Sequence, residues 1–132
     1  MSGNLPFPEF NQNREPKLLA SPKALPVEQG LDGRMYMTVS INDTNVRVIV
    51  DTAASNTVLR EKDARAVNIK VTGRTQLLTA GGSVSAKEGR AETFNVAGTN
   101  FEDHKILIAK NLPVSLLGMD ILKTMDGFSI EL

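Results

Sequence analysis

Apolar and polar residues alternate along the chain from Arg34 onward, as they do in half-buried β-strands. In residues 35–41 every second residue is apolar, and the polar run 42–45 has the composition of a turn. Further runs of strand character cover residues 46–50, 57–59, 71–78, 84–96, 101–109, 114–118 and 128–132. Residues 61–67 and 121–125 have the character of short helical turns. The pattern therefore predicts a mostly β domain with one or two short helices.

A turn signal separates two of these strand-like runs, 71–78 and 84–96. The residues between them are Thr79, Ala80, Gly81, Gly82 and Ser83. A Gly-Gly pair between extended segments favours a tight hairpin, because glycine readily adopts the positive φ angles that such turns need. The sequence therefore predicts a β-hairpin with its tip at residues 79–83.

The first thirty residues differ in composition from the rest of the chain. Five of the six prolines lie there, among Asn, Gln, Glu and Lys residues. Proline at that density interrupts both helices and central strands. Residues 1–30 are therefore predicted to be a flexible arm, serving as a linker, a propeptide or a tether. Residues 31–132 are predicted to be the folded domain.

The composition of the 132 residues excludes several kinds of chemistry. Fifteen Lys and Arg residues balance fifteen Asp and Glu residues, so no basic excess predicts a nucleic acid or an anionic membrane as a partner. The chain has no cysteine and a single histidine, His104, which excludes disulfides, thiol catalysis and a histidine metal site. No run approaches the roughly 20 apolar residues that span a membrane. Acidic side chains are the catalytic groups in good supply.

Asp51 occupies an unusual position for an acidic residue. It stands between two apolar runs, where a carboxylate would be costly to bury. Thr52 offers a hydroxyl for hydrogen bonding, and the small Ala53 and Ala54 let a backbone or a substrate approach closely. Two interpretations fit this segment. Asp51 is either the centre of a catalytic loop or the cap of a turn at a strand end.

Three motifs follow one another in an informative order. They are Asp51-Thr52 after the run 46–50, Leu-Thr-Ala-Gly-Gly at 78–82, and Ser-Leu-Leu-Gly-Met-Asp at 115–120. In this order and spacing the chain resembles a retropepsin, the single-domain, retroviral-type aspartic protease, and in particular the bacterial branch of that group. The resemblance covers residues 34–132. It implies a single-lobe, closed β-barrel of the acid-protease fold, with a flap hairpin, that forms a C2 homodimer.

The resemblance also implies a role for each motif. Asp51 is the expected catalytic aspartate, and Thr52 is expected to form hydrogen bonds that interlock two such loops across the dimer axis. Leu117 and Gly118 are expected to pack behind the loop, and Asp120 to open the last helix as a structural capping acid. The expected active-site loop is completed by Ala53, Ala54 and Ser55. The expected flap tip, which would close over a bound peptide, comprises Thr79, Ala80, Gly81, Gly82 and Ser83.

Two departures from the family pattern affect the expected site. Ala53 stands where glycine is usual, and its Cβ is expected to strain the backbone by about 1 kcal/mol or more, weakening activity or displacing the loop. Met119 stands where retroviral members usually have an arginine, and Ser55 stands where that arginine's aspartate partner lies. Both halves of an ion pair are therefore absent together, which avoids stranding one charge.

The chemistry of peptide hydrolysis by carboxylates predicts the assembly. It needs one ionised carboxyl to activate water and one protonated carboxyl to polarise the carbonyl. The chain holds one Asp-Thr-x-Ala motif and is too short for two lobes, so we expect a homodimer with Asp51 of each subunit at the axis. The predicted function is an aspartic endopeptidase that acts on polypeptide substrates, without a metal or other cofactor.

Two other functions remain open at this stage. One is a catalytically impaired, dimeric peptide-binding module of the same fold, for which Ala53 is the specific support. The other is a plain β-barrel interaction domain in which Asp51 only caps a turn.

Residues 128–132 and the cellular compartment complete the expectations. Terminal strands commonly interleave between subunits in the family, so residues 128–132 are expected to pair across the dimer; the alternative is an ordinary edge strand. Bacterial members often carry an N-terminal membrane anchor. If such an anchor preceded this chain, the periplasm or cell envelope would be its place, and otherwise the cytoplasm; the sequence does not indicate which.

Overall fold

The computed structural model describes residues 25–79 and 81–125, and all of its helices and strands lie within one compact unit, Pro26–Thr124. The strands are β1 (Glu28–Gln29), β2 (Met35–Ile41), β3 (Thr44–Val50), β4 (Val58–Arg60), β5 (Lys70–Thr79), β6 (Gly82–Val96), β7 (Thr99–Ala109) and β8 (Ser115–Leu117). The helices are α1 (Glu61–Ala66) and α2 (Met119–Leu122). The prediction of a mostly β domain with two short helices is confirmed.

Six of the strands close into a barrel. Its strand order is β2-β3-β8-β4-β7-β6, and β6 returns to β2 through the pairs Ser40↔Asn95 and Ile41↔Phe94. The strand β1 pairs with β2, and β5 pairs with β6 to form a long hairpin, so both lie outside the ring. Closure leaves few unpaired strand edges in the ring. The predicted closed β-barrel is confirmed.

The barrel interior is filled by side chains from alternate positions of its strands. In β2, Met37, Val39 and Ile41 are buried, as the alternation of the sequence predicted. The strand β3 ends instead with three consecutive buried residues, 48–50. The end of β3 is therefore covered on both faces, and the chain emerges from it directly at Asp51.

Two tight turns connect strands of the barrel, and the first of them lies in the polar run 42–45 that the sequence predicted as a turn. Asn42 and Asp43, with φ of 48° and 66°, join β2 to β3, and Ile41 pairs with Thr44 across the turn. Ala97, with φ of 51°, and Gly98, with φ of 88°, join β6 to β7 in the same way. Positive φ at both central residues is the geometry that matches the twist of a hairpin.

Several boundaries differ from the prediction. The helix α2 begins at Met119, two residues before the predicted start at Ile121, because β8 stops at Leu117. Glu28 and Gln29, within the predicted arm, pair with β2. The rest of that arm up to residue 24 and the predicted strand 128–132 lie outside the described residues. No helix in the described part of the chain is long and apolar enough to cross a bilayer.

Candidate active site

Asp51 lies at the end of the buried strand β3, on a loop that β8 supports. The strands β3 and β8 run parallel, with Val50 opposite Leu117. The backbone N–H of Asp51 donates to the carbonyl of Leu117 at 3.0 Å, which extends this pairing one residue beyond the strand. The backbone of Asp51 is thereby fixed to the barrel, while its carboxylate is half-buried at the surface.

The loop after Asp51 is folded around the aspartate itself. The carboxylate oxygen Oδ1 accepts the backbone N–H of Ala53 at 2.9 Å, and the carbonyl of Asp51 accepts the N–H of Ala54 at 3.2 Å. Thr52, Ala53 and Ser55 are exposed, whereas Asp51 and Ala54 are half-buried. The loop therefore presents its outer residues to solvent, next to a carboxylate with a defined orientation.

Ala53 does not strain the loop, so the expectation of backbone strain at this position is wrong. The described non-glycine residues with positive φ are Asn42, Asp43, Asn68, Ala97, Asp103 and Asn111, and Ala53 is not among them. Ala53 therefore does not occupy the left-handed backbone region in which glycine is favoured. The backbone argument for a displaced loop or a weakened activity therefore falls away.

Residues 117–120 hold the far side of the loop. The N–H of Met119 donates to the carbonyl of Ala54 at 2.8 Å, and the N–H of Asp120 donates to the carbonyl of Ser55 at 3.1 Å. A Cβ on Gly118 would come within 2.5 Å of both the carbonyl carbon and the carbonyl oxygen of Asn56. Glycine is required there because two backbone segments approach closely, and the loop is packed directly against this segment.

Asp120 faces inward and carries the polar contacts beneath the loop. Its Oδ1 accepts the hydroxyl of Thr57 at 2.9 Å and the N–H of Ile121 at 3.0 Å. Its Oδ2 lies 2.9 Å from Nε2 of His104. The N-cap position of α2 is Gly118, which has no side chain to cap with, so the Asp120 carboxylate serves the first turn from within the helix.

The surroundings of Asp120 keep it ionised. Burial alone would raise its pKa, but hydrogen bonds from His104 and Thr57 outweigh that effect and hold the pKa below the ordinary value of 3.8. The carboxylate side chain is only 15% exposed. Asp120 is therefore a largely buried, charged group within the support of the loop.

Thr57 and His104 are the two members of this cluster that the motifs did not single out. Thr57 is completely buried, and its hydroxyl both donates to Asp120 and accepts the N–H of Gly118 at 3.2 Å. A threonine at the head of an apolar run was a signal that could have identified it. His104 gave no such signal, since its partner lies on another element.

The hairpin of β5 and β6 ends in the predicted tip. Thr79 pairs with Gly82, and the Thr79 hydroxyl donates to the Gly82 carbonyl at 2.8 Å and accepts the Gly81 N–H at 3.2 Å. Gly82 has a φ of 111°, which explains glycine at this position. Leu78 is 81% exposed just before the tip, and Ser83 pairs with it across the hairpin. Ala80 lies outside the described residues.

Residues 25–79 and 81–125 contain no group of three His, Cys, Asp or Glu side chains placed to hold an ion. Asp51 itself contacts backbone groups of its own loop.

Comparisons with known proteins identify the fold. Residues 37–124 match the profile of the family described as "gag-polyprotein putative aspartyl protease". A retropepsin-like aspartic protease from Rickettsia conorii, known from its crystal structure, superposes with a TM-score of 0.66 and 30% identity, over 80% of this chain and 82% of that one. This chain belongs to the retropepsin-like aspartic proteases. The matched residues include the Asp51 loop, the hairpin and the 117–120 segment.

Two further relatives extend this assignment. The retropepsin fold of this chain superposes on the EIAV protease, in its complex with the inhibitor HBY-793, with a TM-score of 0.63 and 28% identity, over 80% of this chain and 100% of that one. "Uncharacterized protein RP867" of Rickettsia prowazekii (strain Madrid E) is 33% identical over 104 residues. That match takes in 76% of this chain and 45% of the relative, so this retropepsin-like chain spans less than half of that protein's length.

Proposed function

We propose that this retropepsin-like chain is an aspartic endopeptidase that works as a C2 homodimer. The observation that carries the proposal is the placement of Asp51. Its carboxylate stands at the surface end of a buried strand, with Oδ1 oriented by the Ala53 N–H at 2.9 Å. The loop around it is held by 117–120, so the carboxylate is positioned without being buried. Family membership supports the same role.

The catalytic unit in this proposal is a pair of Asp51 carboxylates, one from each subunit. One of them, ionised, takes a proton from a bound water, and the other, protonated, donates a hydrogen bond to the scissile carbonyl. The water oxygen attacks the carbonyl carbon, and the amide C–N bond then breaks as its nitrogen is protonated. Thr52 is exposed next to Asp51 and would form the hydrogen bonds between the two loops.

The hairpin of β5 and β6 would supply the cover of the substrate site. Leu78 and Val84 near its tip are 81% and 43% exposed, and because Val84 pairs with Leu77 the two side chains lie on opposite faces of the hairpin. An extended polypeptide held by strand-like hydrogen bonds would bury the one on the face that covers it. The proposed substrate is therefore an unstructured segment of a protein, and its sequence preference would depend on apolar pockets under this hairpin.

Cleavage of an unstructured protein such as casein tests the proposal. We expect the wild type to cleave it and Asp51→Asn to lose at least about a thousand-fold in rate, because the variant cannot supply the ionised carboxyl. Asp43→Asn is the matched control, since it removes an exposed acid in a turn whose positive φ asparagine also tolerates. Binding of casein without cleavage by a folded wild-type dimer would support the peptide-binding module instead.

A subunit-mixing experiment tests whether the site is shared. Wild-type protein is incubated with a growing excess of Asp51→Asn protein, long enough for subunits to exchange, and cleavage is then measured. If each site needs one Asp51 from each subunit, the excess variant captures wild-type subunits in inactive pairs and activity falls toward zero. Activity that stays constant would show that each chain carries a complete site, which contradicts the dimer mechanism.

A further inference from the structure

We infer that His104 is a positioning residue for the active-site loop, acting through Asp120 and Thr57. The catalytic part of this inference rests on the proposed function, whereas its structural part does not. His104 lies in β7, and the hydrogen bond of its side chain goes to Asp120 of α2. Its influence would pass through one shared carboxylate.

The first step is the geometry of that carboxylate. His104 approaches Oδ2 of Asp120 at 2.9 Å, and Thr57 donates to Oδ1 at 2.9 Å. Because an ionised carboxylate only accepts, Nε2 of His104 must carry the proton in this contact. His104 therefore holds Oδ2, while the Thr57 hydroxyl and the Ile121 N–H hold Oδ1, and the three contacts together fix the rotation of the Asp120 side chain. Removing His104 takes away the donor to Oδ2, so the carboxylate can rotate about its remaining contacts at Oδ1.

The second step joins Asp120 to the loop. The backbone N–H of Asp120 donates to the Ser55 carbonyl at 3.1 Å, and the Thr57 hydroxyl that Asp120 accepts also accepts the N–H of Gly118 at 3.2 Å. Both connections end on residues within or beside the loop. Thr57 is completely buried, so water cannot easily replace a lost partner. A turned Asp120 would therefore disturb the anchor of the loop.

The third step is the fixed setting of His104 itself. Its ring packs edge-on against Phe94 and Phe101, with centroid distances of 5.7 and 5.9 Å, and the side chain is 22% exposed. These two rings, from β6 and β7, carry no charge, and Asp120 of α2 is the charged group that faces His104 among the described residues. The imidazole is thus held in one orientation, aimed at Asp120.

The charges that neighbour His104 along β7 belong to the outer face of the barrel. Asp103 pairs with Arg90 at 2.8 Å, and both side chains are largely exposed. Lys105 is exposed as well. Arg90 of β6 and Asp103 of β7 therefore offer a matched control, because they form an exposed ion pair whose acid is next to His104 in the chain.

Hydrogen exchange of single backbone amides tests the structural part directly. In His104→Phe, which keeps the aromatic packing and removes the donor, we expect the amides of Met119 and Asp120 to exchange about ten-fold faster than in the wild type. In His104→Gln, whose amide nitrogen can take the place of Nε2, exchange should stay within about two-fold. Arg90→Gln should leave both amides unchanged.

Two outcomes of the exchange experiment would overturn the inference. One is unchanged exchange at Met119 and Asp120 in His104→Phe. The other is an equal acceleration at barrel amides such as that of Val39, since this would indicate a general loss of stability. The experiment needs no activity, so it decides the inference even if the wild type cleaves nothing, a result that would count against the proposed function alone.

Steady-state kinetics test the catalytic part. With active sites counted by a tight-binding inhibitor, we expect His104→Phe to lower kcat by about ten-fold and to leave KM within about two-fold, because a loosened loop misplaces the carboxylate without changing the peptide contacts. His104→Gln should recover most of the kcat. A fall only in the number of active sites, with kcat per site unchanged, would show that His104 acts on folding and overturn its positioning role.

Discussion

The Asp51 loop and the hairpin tip are both short exposed turns, yet they are held in opposite ways. The loop is bound by hydrogen bonds from a distant part of the chain, with Met119 and Asp120 donating to Ala54 and Ser55. The tip is held by its own hydroxyl, since Thr79 bonds Gly81 and Gly82. One turn is thus locked by tertiary structure, and the other depends on local chemistry.

This difference indicates which part of the molecule should move. A segment with few tertiary contacts opens at a lower free energy than one that is pinned to the core. In the proposed function the carboxylate on the loop requires a fixed position for catalysis, whereas a hairpin that covers a peptide has to open and close. The tip also exposes Leu78, which a bound partner would bury. The predictions below test the contrast between the locked loop and the open tip.

A glycine-to-alanine substitution in each region should show the largest difference between the loop and the tip in the free energy of unfolding. In Gly118→Ala the new Cβ would meet backbone atoms of Asn56 at 2.5 Å and the Ala54 carbonyl oxygen at 2.9 Å. Backbone cannot give way as a side chain can, so we expect the free energy of unfolding to fall by about 3 kcal/mol. Urea or thermal denaturation followed by circular dichroism measures the change.

The counterpart at the hairpin tip is Gly81→Ala. Its Cβ would find only the Thr79 hydroxyl, at 3.8 Å, and the residue does not need positive φ. We expect the free energy of unfolding to stay within about 0.5 kcal/mol of the wild type. Equal destabilisation by the two substitutions would contradict the contrast between the regions.

Removing the buried hydroxyl of Thr57 should give the next largest effect. Thr57→Val keeps the shape of the side chain but leaves the Gly118 N–H without its acceptor and removes one of the two donors to Oδ1 of Asp120. Unsatisfied buried polar groups cost about 1–3 kcal/mol, so we expect a loss of about 2 kcal/mol in the free energy of unfolding. Thr75→Val in β5 is a suitable control, because that threonine is partly exposed. A loss of the same size in both variants would disprove the role of the hydroxyl.

The pH dependence of the free energy of unfolding should reveal the contribution of the ionised Asp120 carboxylate beneath the loop. The folded protein holds the pKa of Asp120 below 3.8, so the carboxylate stabilises the fold above that pH. The contribution is lost as pH falls through the lowered folded value. Asp120→Asn should therefore be less stable than the wild type by about 1 kcal/mol at neutral pH, with the difference shrinking below pH about 4. A stability difference between the wild type and Asp120→Asn that grew as the pH fell would contradict this prediction.

The strands and the turns were predictable from the sequence because their signals are local. Alternation over 35–41 marks β2, and the polar pair Asn42-Asp43 marks the turn that follows it. The Asp51 loop was identified from the order of three motifs. The short β1 escaped prediction, since Glu28 and Gln29 are polar residues that follow a proline.

The contact of His104 with Asp120 beneath the loop could not be predicted, because it depends on barrel closure. His104 and Asp120 are 16 residues apart in the chain, on β7 and α2, and nothing in either local pattern joins them. The sequence predicted a steric problem at the methyl group of Ala53. In the structure, the position at which a methyl group would clash is Gly118. Steric requirements between distant backbone segments appear only once the segments are packed.

The smallest change in stability is expected at the hairpin tip, where it should instead alter substrate binding. Thr79→Val removes the two hydrogen bonds of an exposed hydroxyl, so we expect less than about 0.5 kcal/mol of change in the free energy of unfolding. The tip would nevertheless lose its preferred shape, and closing it over a peptide would cost more. We therefore expect KM to rise about three-fold with kcat nearly unchanged, measured on a short fluorogenic peptide. Ser83→Ala is the control for loss of a hydroxyl near the tip. A fall in kcat with unchanged KM would instead show that Thr79 affects the catalytic step, as the residues of the locked loop are expected to do.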